Sequence, residues 1–309
     1  MNIQSTTPAH PAATPLRQRM IEDMRARNLG RHSQRNHLES CARFAAFLGR
    51  SPEMATADDI RRFQLFLVES GVNIAYRNRI MTGVGFLLRV TLRRHDLVSE
   101  VFHLREPQRV PLVLSRQEIK RLLAMAPGLR ARAMLSLAYG CGLRAGEVVR
   151  LRAGDIDSAQ GIIRIVQSKG RKDRNVMLPA DILGLLRDWW RERSTRKDAG
   201  VALADRWLFP SRVGRSCLTT RQFARLFRAT VAAAGIRKPV TLHSLRHSFA
   251  THLLERGTDV RVIQALLGHA KLETTAGYTR VATGMIADVA SPLDDLTPRK
   301  RRKGKAGSS

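Results

Sequence analysis

Thr241-Leu242-His243-Ser244-Leu245-Arg246-His247-Ser248-Phe249-Ala250-Thr251-His252 is the stretch that decides how this chain of 309 residues is read. Leu242, Leu245 and Phe249, with Leu253 next, recur at spacings of three and four. That period predicts an amphipathic helix with one apolar stripe turned to a core. His243 and Arg246, also three apart, share a different face and can address one phosphate together. His252 lies beside the stripe and reads as a core residue. His247 is open to either reading. The i,i+4 spacing of His243 and His247 also admits a metal site. Against it, no glutamate stands between them as in HExxH, and an arginine occupies the intervening face, where a second cation is unfavourable.

Downstream, Asp259 can cap a helix that starts at Val260, and Gly268 can end it, which would hold His269 at a fixed exit. Nine residues on, Tyr278 sits in Thr274-Thr-Ala-Gly-Tyr278-Thr-Arg280. Alone it reads as a half-buried tyrosine. Behind a His/Arg/His set in a very basic chain, it suggests a phenol aimed at a nucleic-acid phosphate. Upstream stands Gly140-Cys-Gly142-Leu-Arg144-Ala-Gly-Glu147. Its two glycines suit a tight turn whose backbone approaches a ligand closely. Arg144 follows at a helix start, with a fork of donors that fits a phosphodiester. Glu147, three positions on, can hold that side chain, although a surface Arg–Glu pair would look the same. Between these segments, Gly161–Val166 and Arg174–Leu178 alternate around a polar turn and predict a hairpin. Lys169 enters that turn, where a lysine can donate a proton to a leaving oxygen. Arg171 and Lys172 compete for the role, and a charged tip kept for solubility is the plain alternative.

Composition narrows the partner. Lys and Arg number 54 against 26 Asp and Glu, a net charge of +28. Such an excess implies a polyanion, most often nucleic acid. No apolar run is long enough to span a bilayer, so no membrane is expected. Met1–Pro15 carries three prolines and no apolar stretch, unlike a signal peptide. Aromatic residues make up only 5%, which favours duplex DNA gripped by its phosphates over a single strand stacked on rings. Cys41, Cys141 and Cys217 are too far apart in sequence for a CxxC pair, so a reduced cytoplasmic chain is expected. There is no GxxxxGK[ST] loop and no carboxylate cluster of the two-metal kind.

Residues 1–14 are expected to be disordered. Residues 15–105 predict a helical DNA-binding domain of four helices and no strand. There Leu38, Cys41, Phe44, Ala45 and Leu48 keep a helical period, and Thr56-Ala-Asp-Asp59 resembles a capping box ahead of Ile60, Phe63 and Leu67. Ile80, Val84, Leu87 and Leu88 mark a further helix. Through residue 110 every basic residue is arginine, 17 in all; one by one they read as solvated, collectively as phosphate contacts. Glu106-Pro107-Gln-Arg-Val-Pro111 breaks the period and predicts a linker at 106–112. A second domain, 113–296, opens on the capping box Ser115-Arg-Gln-Glu118. Residues 297–309 form a basic tail, expected to be disordered and to act as an electrostatic anchor. The expected fold class is mainly α with a small β-sheet in the C-terminal domain.

In order, Gly-Leu-Arg144-x-x-Glu147, a hairpin lysine, His243-x-Leu-Arg246-His247, Leu-Gly-His269 and Thr-Thr-x-x-Tyr278-Thr resemble the signature of the tyrosine recombinases, or phage integrase family. Residues 243–281 are especially similar to the Xer-type members. Any one of these motifs is weak, but five in order are specific. The resemblance covers about residues 112–296, with a looser likeness of the helical N-terminal region to that family's core-binding domain. It implies that Tyr278 attacks a DNA phosphodiester, forming a 3′-phosphotyrosyl link and freeing a 5′-hydroxyl. Arg144 and Arg246 would hold the non-bridging oxygens and Lys169 would protonate the leaving oxygen. His243 would assist in proton transfer, His269 would hydrogen-bond the phosphate, and Glu147 and His247 would support the site. It further implies a two-domain clamp on duplex DNA, assembled as a tetramer on paired sites, with copies of itself or with a related recombinase. The segment 284–296 would dock on a neighbour. The expected setting is the cytoplasm, at the nucleoid.

The residue types make sense on physical grounds. A free phenol has a pKa of about 10 and needs deprotonation or a strongly cationic site to react at neutral pH. Two guanidiniums stabilise developing charge without a metal, and a covalent intermediate conserves the phosphodiester bond, so no cofactor, metal or ATP is expected. The alternatives are a non-catalytic DNA-binding regulator on this fold, a type IB topoisomerase-like enzyme that relaxes DNA, and a metal-dependent nuclease, which a chelator would stop.

Overall fold

The computed structural model describes residues 14–107, 110–166, 173–195, 198–211 and 216–268. Lys169, Arg171, Lys172, His269, Tyr278, the segment 284–296, residues 1–13 and the basic tail lie outside the described residues. Two compact units are present, Met1–Gln108 and Arg109–Ser309.

In the first unit the ordered elements are α1 (Pro15–Ala26), α2 (Arg31–Leu48), α3 (Ala57–Glu69), α4 (Ile74–Phe86) and the short α5 (His95–Val98). Thr14 caps α1 with Pro15 at its first position, and Asn73 caps α4. Thr56 and Asp59 form the expected reciprocal capping box of α3. Each such cap satisfies amide donors that a helix start leaves open. The core comprises Phe44, Ile60, Phe63, Leu67, Ile80, Met81, Val84 and Leu88, most of the apolar positions that the spacing singles out. α2 and α4 cross closely at Gly83, where a Cβ would stand 2.5 Å from Ser40 Cβ.

Not every arginine of this unit is free for phosphates. Arg77 is 1% exposed. It donates to Gln64 Oε1 at 3.2 Å and to the Phe102 carbonyl at 3.1 Å, and its guanidinium lies 4.7 Å from the Phe102 ring centre. Next to it, Asn78 accepts from Leu104 N at 2.9 Å and donates to Leu104 O at 2.8 Å. An amide side chain thus stands in for a strand partner and straps the extended segment 100–104 along α4.

The second unit contains α6 (Arg116–Ala124), α7 (Gly128–Gly140), α8 (Ala145–Val149), β1 (Ile156–Asp157), β2 (Ile162–Ile165), β3 (Arg174–Met177), α9 (Ala180–Glu192), α10 (Thr220–Ala233), α11 (Leu242–Leu254) and α12 (Val260–Leu267). The strands form one antiparallel sheet in the order β1-β2-β3. The hairpin expected from the alternation is β2–β3, with Ile163 opposite Val176. β1 is only two residues long, too short to show a period. Ser115 and Glu118 cap α6 reciprocally. The described residues therefore have the mainly helical architecture with a small sheet that the sequence led us to expect.

α11 departs from its one-stripe reading. Leu245, Phe249 and Leu254 are buried, and so are Ser244, Arg246, Ser248, Ala250, Thr251 and His252. The helix runs through the unit rather than over it. The Ser248 hydroxyl finds backbone partners: Oγ donates to Ser244 O at 2.8 Å and accepts from Leu114 N at 2.9 Å. His252 is the core residue expected, 3.0 Å from the Tyr139 hydroxyl. Among the described residues, no helix is long and apolar enough to cross a membrane.

Candidate active site

The site begins at the turn between α7 and α8. Gly142 takes φ +61°, and a Cβ there would meet the Phe249 ring at 2.5 Å. The sequence suggested that this glycine admits a ligand. What it admits is α11, whose Phe249 packs directly on the turn. Arg144 then occupies the N-cap of α8, in extended conformation. Its own amide donates to Glu147 Oε2 at 2.9 Å and its Nη1 to Oε1 at 2.8 Å. The i,i+3 pair is thus present, and Glu147 is 6% exposed, not on the surface.

Arg246 enters the same turn from α11. It is 1% exposed. Nη1 donates to the Gly142 carbonyl at 2.6 Å, and Nη2 donates to the Leu267 carbonyl at the end of α12. One guanidinium therefore ties together the α7–α8 turn, α11 and the C-terminus of α12. Helix C-termini carry partial negative charge, which suits a buried cation. Asp259 caps α12 and Gly268 ends it with φ +62°, the cap pair expected from the sequence.

Arg174, on β3, was quoted in the hairpin pattern but given no role. It donates to Glu147 through both Nη1 and Nη2, at 2.9 and 2.8 Å. Its Nε donates to the Leu266 carbonyl at 2.9 Å. The sequence did contain a signal. In a strand, residues two apart face the same side, so Arg174 shares the inward face of Val176. A cation on an inward strand position needs an anion, and Glu147 supplies it.

The electrostatics follow from these contacts. Burial, the largest influence on Glu147, pushes its carboxyl up. The hydrogen bonds from Arg174 and from the Arg144 amide and side chain, with the charge of Arg174, outweigh it and hold the pKa at about 2. On α11, the His243 and His247 rings meet edge to face, 4.3 Å between centres. Burial first, then the neighbouring His243 and Arg246, push His247 down to about 4. His247 is therefore a neutral imidazole at pH 7, while His243 is exposed at the start of the helix. The fold thus brings Arg144, Glu147 and Arg246 together around one turn, with Arg174 joining them, and sets His243 and His247 on the same helix as Arg246. Among the described residues no trio of His, Cys, Asp or Glu is arranged to hold a metal ion.

Such a cluster holds cations in fixed positions, and fixed donors of this kind are what an oxyanion or phosphate centre requires. Residues 113–285 match the model of the phage integrase family, and residues 16–95 that of the phage integrase N-terminal SAM-like domain. A putative integrase/recombinase of Sinorhizobium fredii is 39% identical over 93% of this chain and 90% of its own length. The tyrosine recombinase XerD of Ralstonia nicotianae is 35% identical over 90% of this chain and 93% of its own. A crystal structure of XerA recombinase superposes with a TM-score of 0.51 at 27% identity, over 93% of this chain and all of that one. This chain, with its Arg144–Glu147 turn and its His243–Arg246 helix, belongs to the phage integrase family of tyrosine recombinases, near the Xer branch.

Proposed function

We propose that this chain is a site-specific DNA recombinase that cuts and rejoins duplex DNA through a covalent bond to Tyr278. The observation that carries the reading is the meeting of Arg246 with the turn that leads into Arg144, through the 2.6 Å bond to Gly142 O. That contact links two permanent cations far apart in sequence through one turn, which supports a role for both at a single phosphodiester.

In the forward step, Tyr278 Oη attacks phosphorus and loses its proton, with His243 as the acceptor. The bond from phosphorus to the 5′ oxygen breaks. Lys169 gives that oxygen a proton, leaving a 5′-hydroxyl and a 3′-phosphotyrosine. Rejoining runs the same step backwards with a 5′-hydroxyl from a partner strand. Arg144 and Arg246 stabilise the charge that gathers on the non-bridging oxygens, and His269 hydrogen-bonds one of them. Glu147 fixes Arg144. His247, neutral at pH 7, packs beside His243 without adding charge. Metal and ATP have no part in this sequence of bonds. Residues 15–105 act as the core-binding domain and 113–296 as the catalytic domain, joined through the linker 106–112. The working form is a tetramer on paired sites in the cytoplasm, at the nucleoid, built of this chain or of this chain with a related recombinase.

The test is covalent capture. A pool of nicked duplexes with randomised sequence, incubated with the chain in EDTA, should yield a detergent-stable protein–DNA adduct that maps to the Tyr278 peptide. Tyr278→Phe should bind the recovered duplex with unchanged affinity and form no adduct. An adduct of normal yield on that variant, or one seen only with added metal, overturns the mechanism.

A further inference from the structure

We propose that Arg174 is a positioning residue of the recombination site, one that couples the Arg144–Glu147 pair to the point where the chain leaves α12. The inference rests on the recombinase reading for its consequence and on three contacts for its content. Arg174 grips both oxygens of Glu147, at 2.9 and 2.8 Å, so the carboxylate that orients Arg144 is itself clamped from the sheet. Its Nε holds the Leu266 carbonyl at 2.9 Å. The next residue but one, Gly268, packs on its stem: a Cβ at Gly268 would lie 2.9 Å from Arg174 Cδ. An arginine stem often yields to such a contact, but this one is pinned by three hydrogen bonds and 8% exposed. Gly268 is therefore required twice, for its φ of +62° and for its missing side chain.

The geometry has a direction. β3 carries Arg174 at the foot of the hairpin that bears Lys169. α8 carries Glu147. α12 leads to His269 and, further on, Tyr278. One planar fork thus joins the three stretches of chain that supply the proton donor, a clamp arginine and the nucleophile's segment. Lysine cannot replace it, since an ammonium is a point charge and lacks the fixed fork that reaches a carboxylate and a carbonyl in one plane.

Arg174→Gln and Arg174→Lys test this in the full chain. DNA affinity for the captured duplex should stay within a few-fold, because many other phosphate contacts remain. The rate of covalent cleavage should fall on the order of 10²-fold in Arg174→Gln, the scale expected when reacting groups shift by about an ångström, with a smaller fall in Arg174→Lys. With its principal cation gone, the Glu147 carboxyl titrates at higher pH than in the unmodified chain. Combining Arg174→Gln with Glu147→Gln should cost no more than the worse single change, since both act through one contact. Hydrogen exchange of the amides around 264–268 should quicken locally, with α7 unaffected.

Wild-type cleavage with unchanged exchange at 264–268 would sink the proposal. So would a loss that merely tracks a fall in melting temperature in both variants. If the unmodified chain forms no adduct at all, the recombinase reading fails, and the exchange measurement still decides whether Arg174 fixes the end of α12.

Discussion

Arg246 shows how far a single side chain can be committed to two tasks. From the sequence, its removal would cost catalysis far more than affinity. The fold adds a cost in stability, because the carbonyls of Gly142 and Leu267 would lose their donor in a dry interior. Arg246→Ala should therefore destabilise the second unit by about 2–4 kcal/mol, read as a lowered urea midpoint; an unchanged midpoint would show that these bonds are not needed for the fold. His247 gives a pH signature. Its folded pKa lies below its unfolded value near ~6.5, so its contribution is intact above that pH and fades as pH falls towards about 4. His37 and His252, also lowered by burial, act in the same window. His247→Asn should thus reduce, without abolishing, the drop in melting temperature between pH 7 and pH 5. Glu147 has the opposite placement. With its pKa held at about 2, its contribution is lost only below the ordinary carboxylate range and does not confuse that measurement.

At the scale of elements, legibility followed locality. The capping boxes at Thr56 and Ser115, the ends of α12 and the β2–β3 hairpin were all readable, because each depends on residues within a few positions of one another. The same is true of the Arg144–Glu147 pair, three residues apart. What escaped was set by contacts across the chain. α11 showed one stripe in its period, yet Ser248 is buried because backbone partners across and along the helix satisfy its hydroxyl. Gly142 looked like a ligand-facing glycine because nothing local reveals Phe249, more than a hundred residues away. Arg77 looked like one more member of a basic surface and Arg174 drew no role at all, since a buried arginine differs from an exposed one only in its distant partner. The α2–α4 crossing belongs to this class and can be tested. Gly83→Ala should lower the stability of the first unit by about 1–3 kcal/mol, seen in thermal melts. Ser40→Gly in the same chain should recover most of the loss. An unaltered melt for the single change would mean that the helices part without cost.

At the scale of the whole molecule, the charge of +28 makes a prediction that no one residue makes. A protein neutralising six to ten phosphates releases that many counterions, so affinity for duplex DNA should drop by about 10³-fold or more between 50 and 200 mM salt. A flat salt response, measured by fluorescence anisotropy, would remove the electrostatic basis for the interaction. The bond from Arg246 to two distant carbonyls has a consequence for how such a gene can decay. A copy drifting toward an inert occupant of its sites gives up part of its scaffold's stability if it discards that guanidinium. Loss of one phenolic oxygen is the milder route to silence, so a surviving non-cutting descendant should keep the buried cation and lack the tyrosine.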